Sequence, residues 1–217
     1  MARSTRADRV AQLLETAGTT LSERAAIHLK TEPAPLFQLI VLASLLAKPI
    51  SGDVAVAACQ ELIAAGLTTP EKMRAATWQH RVNLLGRAHY RRYDESTATR
   101  LDEASQLIIE RYRGDLRRLA DQSGRDRRRA AELLVEIPGI GPTGASIFLR
   151  EAQAVWPWLQ PYFDERALAG AKKLKFPTTA VALARLSADA GPARLAAALV
   201  QADLDDSIVR LILAHAG

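Results

Sequence analysis

The chain has 217 residues, of which 48% are apolar and only 5% aromatic. That is enough for a substantial core in one domain or two intimate lobes, and it favours packed helices over sheets. A net charge of +5, with an isoelectric point near 9.6, suits an anionic partner. The single cysteine, Cys59, excludes a disulfide within one chain and an iron–sulfur cluster held by this chain's cysteines alone, and it fits a reducing compartment.

The spacing predicts a first helix over Arg6 to Ala17, with Val10, Leu13, Leu14 and Ala17 on one face and Gly18 at its end. The polar start ahead of it leads into no apolar secretory core, so a soluble, cytoplasmic protein is expected. Pro33 and Pro35 break the chain before an apolar run from Leu36 to Ala47. That run is too short to span a membrane and reads as a buried helix, so no membrane partner is expected. Ser51-Gly52-Asp53 offers a cap for a helix through Val56, Leu62 and Ile63 to Gly66. Pro70 opens a short helix with Met73 and Trp78 facing inward. Arg81 to Gly86 is helical again, Thr97 to Arg113 is a long amphipathic helix, and a short one covers Asp115 to Ala120. Later helices are expected over Thr143 to Ala154, Asp164 to Leu174, Thr178 to Ala188, Ala193 to Gln201 and Asp206 to Ala214. No segment sustains a two-residue alternation, so the expected fold class is all-α, with ten to twelve short helices.

The run from Leu134 to Ala145 contains Ile137-Pro138-Gly139-Ile140-Gly141-Pro142-Thr143 between two apolar helices. Its glycines permit a tight turn and close approach of a partner to the backbone. Pro142 suits the first position of the second helix, where its missing N–H costs nothing. The unpaired N–H groups at that helix start make a socket for a phosphate oxygen. Just upstream, Arg111, Arg113, Arg117, Arg118, Arg125, Arg127, Arg128 and Arg129 are only partly offset by Asp115, Asp121 and Asp126. Taken alone this is a solvated helix face; beside a phosphate socket it becomes an edge that attracts DNA.

Downstream, the apolar and aromatic stretch Trp156-Pro157-Trp158-Leu159-Gln160-Pro161-Tyr162-Phe163 ends at Asp164, followed by Glu165-Arg166-Ala167-Leu168. Locally, Asp164 reads as an N-cap.

Pro-Gly-hydrophobe-Gly between apolar helices resembles the helix-hairpin-helix motif, which grips DNA backbone without reading bases. Hairpin, second helix, extended apolar segment and an aspartate at a helix start together resemble the helix-hairpin-helix DNA glycosylase superfamily, the endonuclease III-like group. Pro35 to Lys48 resembles that family's first barrel helix, and Leu84-Leu85-Gly86-Arg87 its DNA-wedging segment. The resemblance covers roughly residues 33 to 175. It implies a two-lobed helical fold, with a barrel lobe over 33–145 and a second lobe from 1–32 with 146–217. It also implies a partner, duplex DNA with a damaged or mispaired base that flips out of the stack. By position Asp164 matches the family's essential aspartate, where a carboxylate stabilises an oxocarbenium-like sugar and orients water. Trp156, Trp158, Tyr162 and Phe163 would wall that site.

Three departures from the family shape the expectation. The family's bifunctional members carry a lysine two residues after the last hairpin glycine, where this chain has Thr143. Schiff-base strand cleavage needs that amine, so a monofunctional glycosylase leaving an abasic site is expected. The four-cysteine cluster has no counterpart here, and Glu165-Arg166 is an unusual continuation after the aspartate.

Gly139, Ile140, Gly141, Thr143, Arg87, His89, Tyr90 and Arg128 are the expected DNA contacts, and Lys48, Trp158 and Tyr162 the expected pocket residues. Arg87 to Tyr93 interleaves bases with aromatics, which suits a wedge that fills the vacated stack. His80 and Asn83 are further cleft candidates. Family hairpins hold a monovalent cation through carbonyls such as those of Ile137 and Ile140; no other cofactor is expected. His28 and His215 lack ligand-like spacing, so no metal site is expected. A monomer is expected. A non-catalytic DNA-binding protein retaining the fold is the alternative reading, and a protein–protein scaffold a weaker third.

Overall fold

The structure is a computed structural model that describes residues 5–214; His215, considered above as a metal ligand, lies outside them. All regular elements among these residues are helical. They are α1 (Arg6–Ala17), α2 (Leu21–Arg24), α3 (Pro33–Leu46), α4 (Gly52–Ala64), α5 (Pro70–Ala75), α6 (Trp78–Arg87) and α7 (Asp94–Tyr112). There follow α8 (Arg117–Gln122), α9 (Arg127–Val135), α10 (Pro142–Ala152), α11 (Glu165–Lys173), α12 (Ala180–Ser187), α13 (Gly191–Leu204) and α14 (Asp206–Ala214), with short 3-10 turns at Pro157–Leu159 and Ala188–Ala190. None of these helices is long and apolar enough to cross a membrane. The expected all-α class is therefore what the chain adopts.

Two compact units emerge. One is Ser22–Trp158; the other joins the residues up to Leu21 with those from Leu159 onward. The division expected after Ala145 falls after Trp158, because α10 packs on α3 and α9. The same unit holds further ties: Ser22 N–H and Oγ donate to Glu151 Oε2 at 2.8 and 2.6 Å, and Thr31 Oγ1 donates to Val155 O at 2.8 Å.

In the Ser22–Trp158 unit, α3 is the centre. Leu36, Phe37 and every residue from Leu39 to Leu45 are buried, as befits a helix that is apolar all round. Each such leucine contributes about 1.5–3 kcal/mol by its burial. α4 and α10 pack against α3, α6 bridges α4 and α7, and α5 lies on α7. Pro33 and Pro35 do not break the chain ahead of α3, as the sequence suggested; they sit in its first turn. Residues there have no intrahelical acceptor for their N–H, so proline loses nothing. Met73 is fully buried as expected, but Trp78 is not: α5 ends at Ala75, and Trp78 begins α6 with 41% of its surface exposed. Its indole N–H donates to Thr99 Oγ1 at 3.1 Å. Ser51 stands at the N-cap of α4 without a side-chain cap bond.

Arg81 ties α5, α6 and α7 together from inside. Its Nε donates to Ala98 O at 3.0 Å and its Nη1 to Met73 O and Ala76 O at 2.9 and 2.7 Å. Desolvation pushes this guanidinium below its ordinary pKa, and Asp102 opposes that shift.

The other unit is built on a close helix crossing. α11 and α13 approach so tightly that a Cβ on Gly170 would strike the Leu199 carbonyl, lying 2.7 Å from its carbon. Val10 and Leu13 from α1, Phe163, Ala167 and Ala171, Leu195 and Leu199 from α13, and Ile212 from α14 form the core around that crossing. A capping box fixes the start of α1: Thr5 Oγ1 accepts from Asp8 N–H at 3.2 Å while Asp8 Oδ2 accepts from Thr5 N–H at 2.8 Å.

Candidate functional site

α9 ends at Val135, and a short hairpin leads to α10. Ile140 N–H donates to Ile137 O at 3.0 Å, closing a turn whose central residues are Pro138 and Gly139. Gly139 has φ +85°, the left-handed value that the third residue of a type II turn requires. A side chain there would also press on Ser44 Oγ and Arg100 Cβ, 3.0 and 3.3 Å from its Cβ. Gly141 caps α10 without a side-chain bond, and Pro142 opens it. As a result, among the described residues, the N–H groups of Gly139, Gly141 and Thr143 make no hydrogen bond. Thr143 is exposed, and both glycines are half-buried. Ile140 differs from the expectation that grouped it with them. Its N–H is used inside the turn, and its side chain is only 5% exposed, so it anchors the hairpin to the core.

The arginine run is largely neutralised by neighbouring acids. Arg117 pairs with Asp115 at 2.7 Å, Arg129 with Glu132 at 2.9 Å, Arg125 with Asp121 at 3.8 Å, and Arg111 with Glu136. Arg128 reaches Glu132 only at 3.8 Å, and 91% of its side chain is exposed. Exposed pairs such as those of Arg125, Arg128 and Arg129 are worth about 0–1 kcal/mol, so an arriving phosphate can displace their acids. Arg113 and Arg118 face a cleft of about 510 Å³ beside the starts of α3 and α5, where Glu32, Glu71 and Asp115 offset them.

The segment expected to wedge DNA is mostly core. Leu84, Leu85 and Tyr90 are fully buried. Tyr90 OH donates to Leu45 O at 3.0 Å, and burial pushes its phenol up to about 12. It therefore cannot stack on a base. The cause is how α6 ends: His89 N–H donates to Gly86 O and Tyr90 N–H to Leu85 O, both at 3.0 Å. That pair of bonds is a Schellman motif, whose following residue packs inward. His89 is exposed at φ +60°. Arg87 is exposed and donates Nε to Glu61 Oε2 at 2.7 Å. Arg91 and Arg92 are exposed, with the Arg92 guanidinium 5.5 Å from the Tyr93 ring centre. His80 and Asn83 are exposed on α6, and Gln79 Nε2 donates to Asn83 Oδ1 at 2.9 Å.

Asp164 occupies the N-cap of α11, with Oδ1 accepting from Ala167 N–H at 3.0 Å. The carboxylate is half-buried, and that bond fixes its orientation. Phe163 beside it is a core residue of the same unit, and Tyr162 is half-buried. Trp156 and Trp158 belong to the Ser22–Trp158 unit, stacked at 5.4 Å with Phe148 edge-on to Trp156 at 5.6 Å. Trp158 is half-buried, as is Lys48 in the turn after α3.

Two residues beside the hairpin, Ser44 and Arg100, are not among those the sequence reading singles out. Ser44 is a polar residue inside an apolar run, which is a visible oddity. Nothing marks Arg100 until the fold sets α7 against Gly139. Among the described residues no cluster of histidine, cysteine and carboxylate side chains could hold a metal ion. Cys59 is buried, which pushes its thiol up to about 12.

No family model and no curated protein matches this chain. Among solved structures it is similar to one of a trapped endonuclease III–DNA covalent intermediate, an estranged-adenine complex. The two share 13% sequence identity at a TM-score of 0.47, over 91% of this chain and 85% of that one.

Proposed function

We propose that this protein is a monofunctional DNA glycosylase, which hydrolyses the N-glycosidic bond of a damaged or mispaired base and leaves an abasic site. The observation that carries the reading is the hairpin: three N–H groups without partners within five residues, ahead of a helix with no side-chain cap. Such a loop binds a phosphate oxygen through neutral donors, aided by the dipole of α10. Arg128 and the loosely paired arginines around it add the salt-sensitive part of the grip.

In this reading Asp164 is the catalytic carboxylate. As the base departs, positive charge develops on the sugar, and a fixed anion beside the anomeric carbon stabilises it. The carboxylate then accepts a proton from the water that adds to that carbon, while the departing base takes up a proton. Capping supports this role, because the bond to Ala167 N–H holds the side chain still. Thr143 offers no amine where the resembling bifunctional enzymes have lysine, so no Schiff base forms there. A monovalent cation at the hairpin would be held by the Ile140 carbonyl and the second lone pair of Ile137 O, and would add positive charge beneath the phosphate.

The test is a panel of duplexes carrying uracil, alkylated purines, oxidised bases or mismatches. We expect alkali-sensitive abasic sites from at least one substrate, no adduct trapped by borohydride, and turnover lost at least about a hundredfold in Asp164→Asn with DNA affinity retained. DNA binding with no base release anywhere in the panel would instead favour the alternative, a non-catalytic DNA-binding protein that retains the fold.

A further inference from the structure

We propose that Ser44 and Arg100 form a second phosphate subsite beside Gly139, so that the protein holds two neighbouring phosphates of one DNA strand. The inference rests on reading the hairpin as a phosphate cradle and assigns to it two side chains from other helices.

Ser44 lies on α3 and is only 5% exposed. A buried helical serine ordinarily returns its hydroxyl to a carbonyl of its own segment, as Ser105 does to Leu101 O at 2.6 Å and Ser123 to Ala120 O at 2.7 Å. Ser44 makes no such bond and has no other partner among the described residues. Its hydroxyl points at the hairpin, 3.0 Å from where a Cβ on Gly139 would stand. The residue is nine-tenths buried, yet its oxygen is not sealed from solvent, so the hydroxyl is open to a partner arriving at the turn. A ligand oxygen there would take the place of solvent on that hydroxyl.

Arg100 flanks the same edge of the turn from α7, its Cβ and Cγ 3.3 and 3.9 Å from that position. Its guanidinium is half exposed, and among the described residues its ion pair is with Glu103 on its own helix, at 2.9 Å. A pair so exposed is weak, so the guanidinium can turn to a phosphate and leave Glu103 to water. The hydroxyl rotates freely to donate. One rigid neutral donor and one mobile cation therefore meet beside the glycine whose missing side chain leaves them room.

The test uses the full chain and an undamaged duplex, with affinity measured over a range of salt. Ser44→Ala should weaken binding by about tenfold with an unchanged melting temperature. Arg100→Gln should weaken binding and reduce the slope of log affinity against log salt by about 1. The double variant should lose less than the two single losses combined, because both side chains serve one phosphate. Wild-type affinity in Ser44→Ala, or a loss matched by a lower melting temperature, overturns the subsite and leaves the hairpin reading intact. An unchanged salt slope in Arg100→Gln overturns it as well. A wild-type protein that binds no duplex at any salt overturns the hairpin reading itself.

Discussion

His89 follows the cap of α6 at φ +60°, a region where a β-carbon crowds the backbone and only glycine is at ease. Ala26 and Lys175 take the same conformation after α2 and α11, and the residue after each packs inward, as Tyr90 does after His89. Ile27 and Phe176 are both buried, and their N–H groups reach back to Ser22 O and Ala171 O at 2.8 and 2.9 Å. His89→Gly removes the strain without touching a packed atom. We expect it to stabilise the protein by about 0.5–1 kcal/mol, read as a higher urea midpoint at unchanged slope. Equal or lower stability would mean that the imidazole makes compensating contacts. The same three positions explain a gap in the sequence reading. A helix end is marked in sequence by glycine, so an end made by alanine, histidine or lysine passes unnoticed and the buried residue after it looks like a surface loop. Tyr90 was read as a base-stacking side chain for that reason, in the company of arginines that are indeed exposed.

At the scale of elements, helices with strong punctuation were legible and their mutual packing was not. α1 matches its expected span because Thr5 and Gly18 bracket one amphipathic period, and the α9–α10 hairpin is readable from Pro138 to Pro142 because its turn needs those residue types. α5 and α6 misled, since two short helices separated by two residues show nearly the same periodicity as one, and the break reverses Trp78 from core to surface. The α11–α13 crossing had no sequence signal at all. Gly170 looks like an ordinary helical glycine until Leu199 is found against it, and its replacement tests that crossing directly. Gly170→Ala has no flexible side chain to displace, only the α13 backbone, so the two helices must separate. We expect a loss of about 3 kcal/mol or more, seen as a lower melting temperature by circular dichroism. Gly86→Ala, where nothing lies within 4 Å of an added Cβ, should cost nothing and serves as the control. A mild effect at Gly170 would show that α11 can shift along its partner.

For the molecule as a whole, the sequence held no trace of where the two units divide, because neither Leu21-Ser22 nor Trp158-Leu159 stands in a linker-like composition. The units are defined by what each encloses, and the Ser22–Trp158 unit encloses groups that resist ionisation. Burial pushes the Cys59 thiol and the Tyr90 phenol up to about 12 and raises the Tyr112 phenol as well. In the unfolded chain the thiol loses its proton near pH 9 and the phenols near pH 10. The folded pKa values lie above the unfolded ones, so the unfolded state releases protons first as the pH rises. The stability tied to these groups is fully present below pH 9 and is lost progressively toward pH 12, at no more than about 1.4 kcal/mol per pH unit for each titrating group. Urea unfolding followed from pH 7 to 11 should show a plateau and then a fall that begins near pH 9. Cys59→Ala should lower the plateau, through the small cavity it leaves, and delay the onset of the fall to near pH 10, where only the phenols remain to titrate. An onset unmoved by that substitution would mean that the thiol is reached by solvent in the folded protein, and that the packing of α4 against α3 is looser than its fully buried face implies.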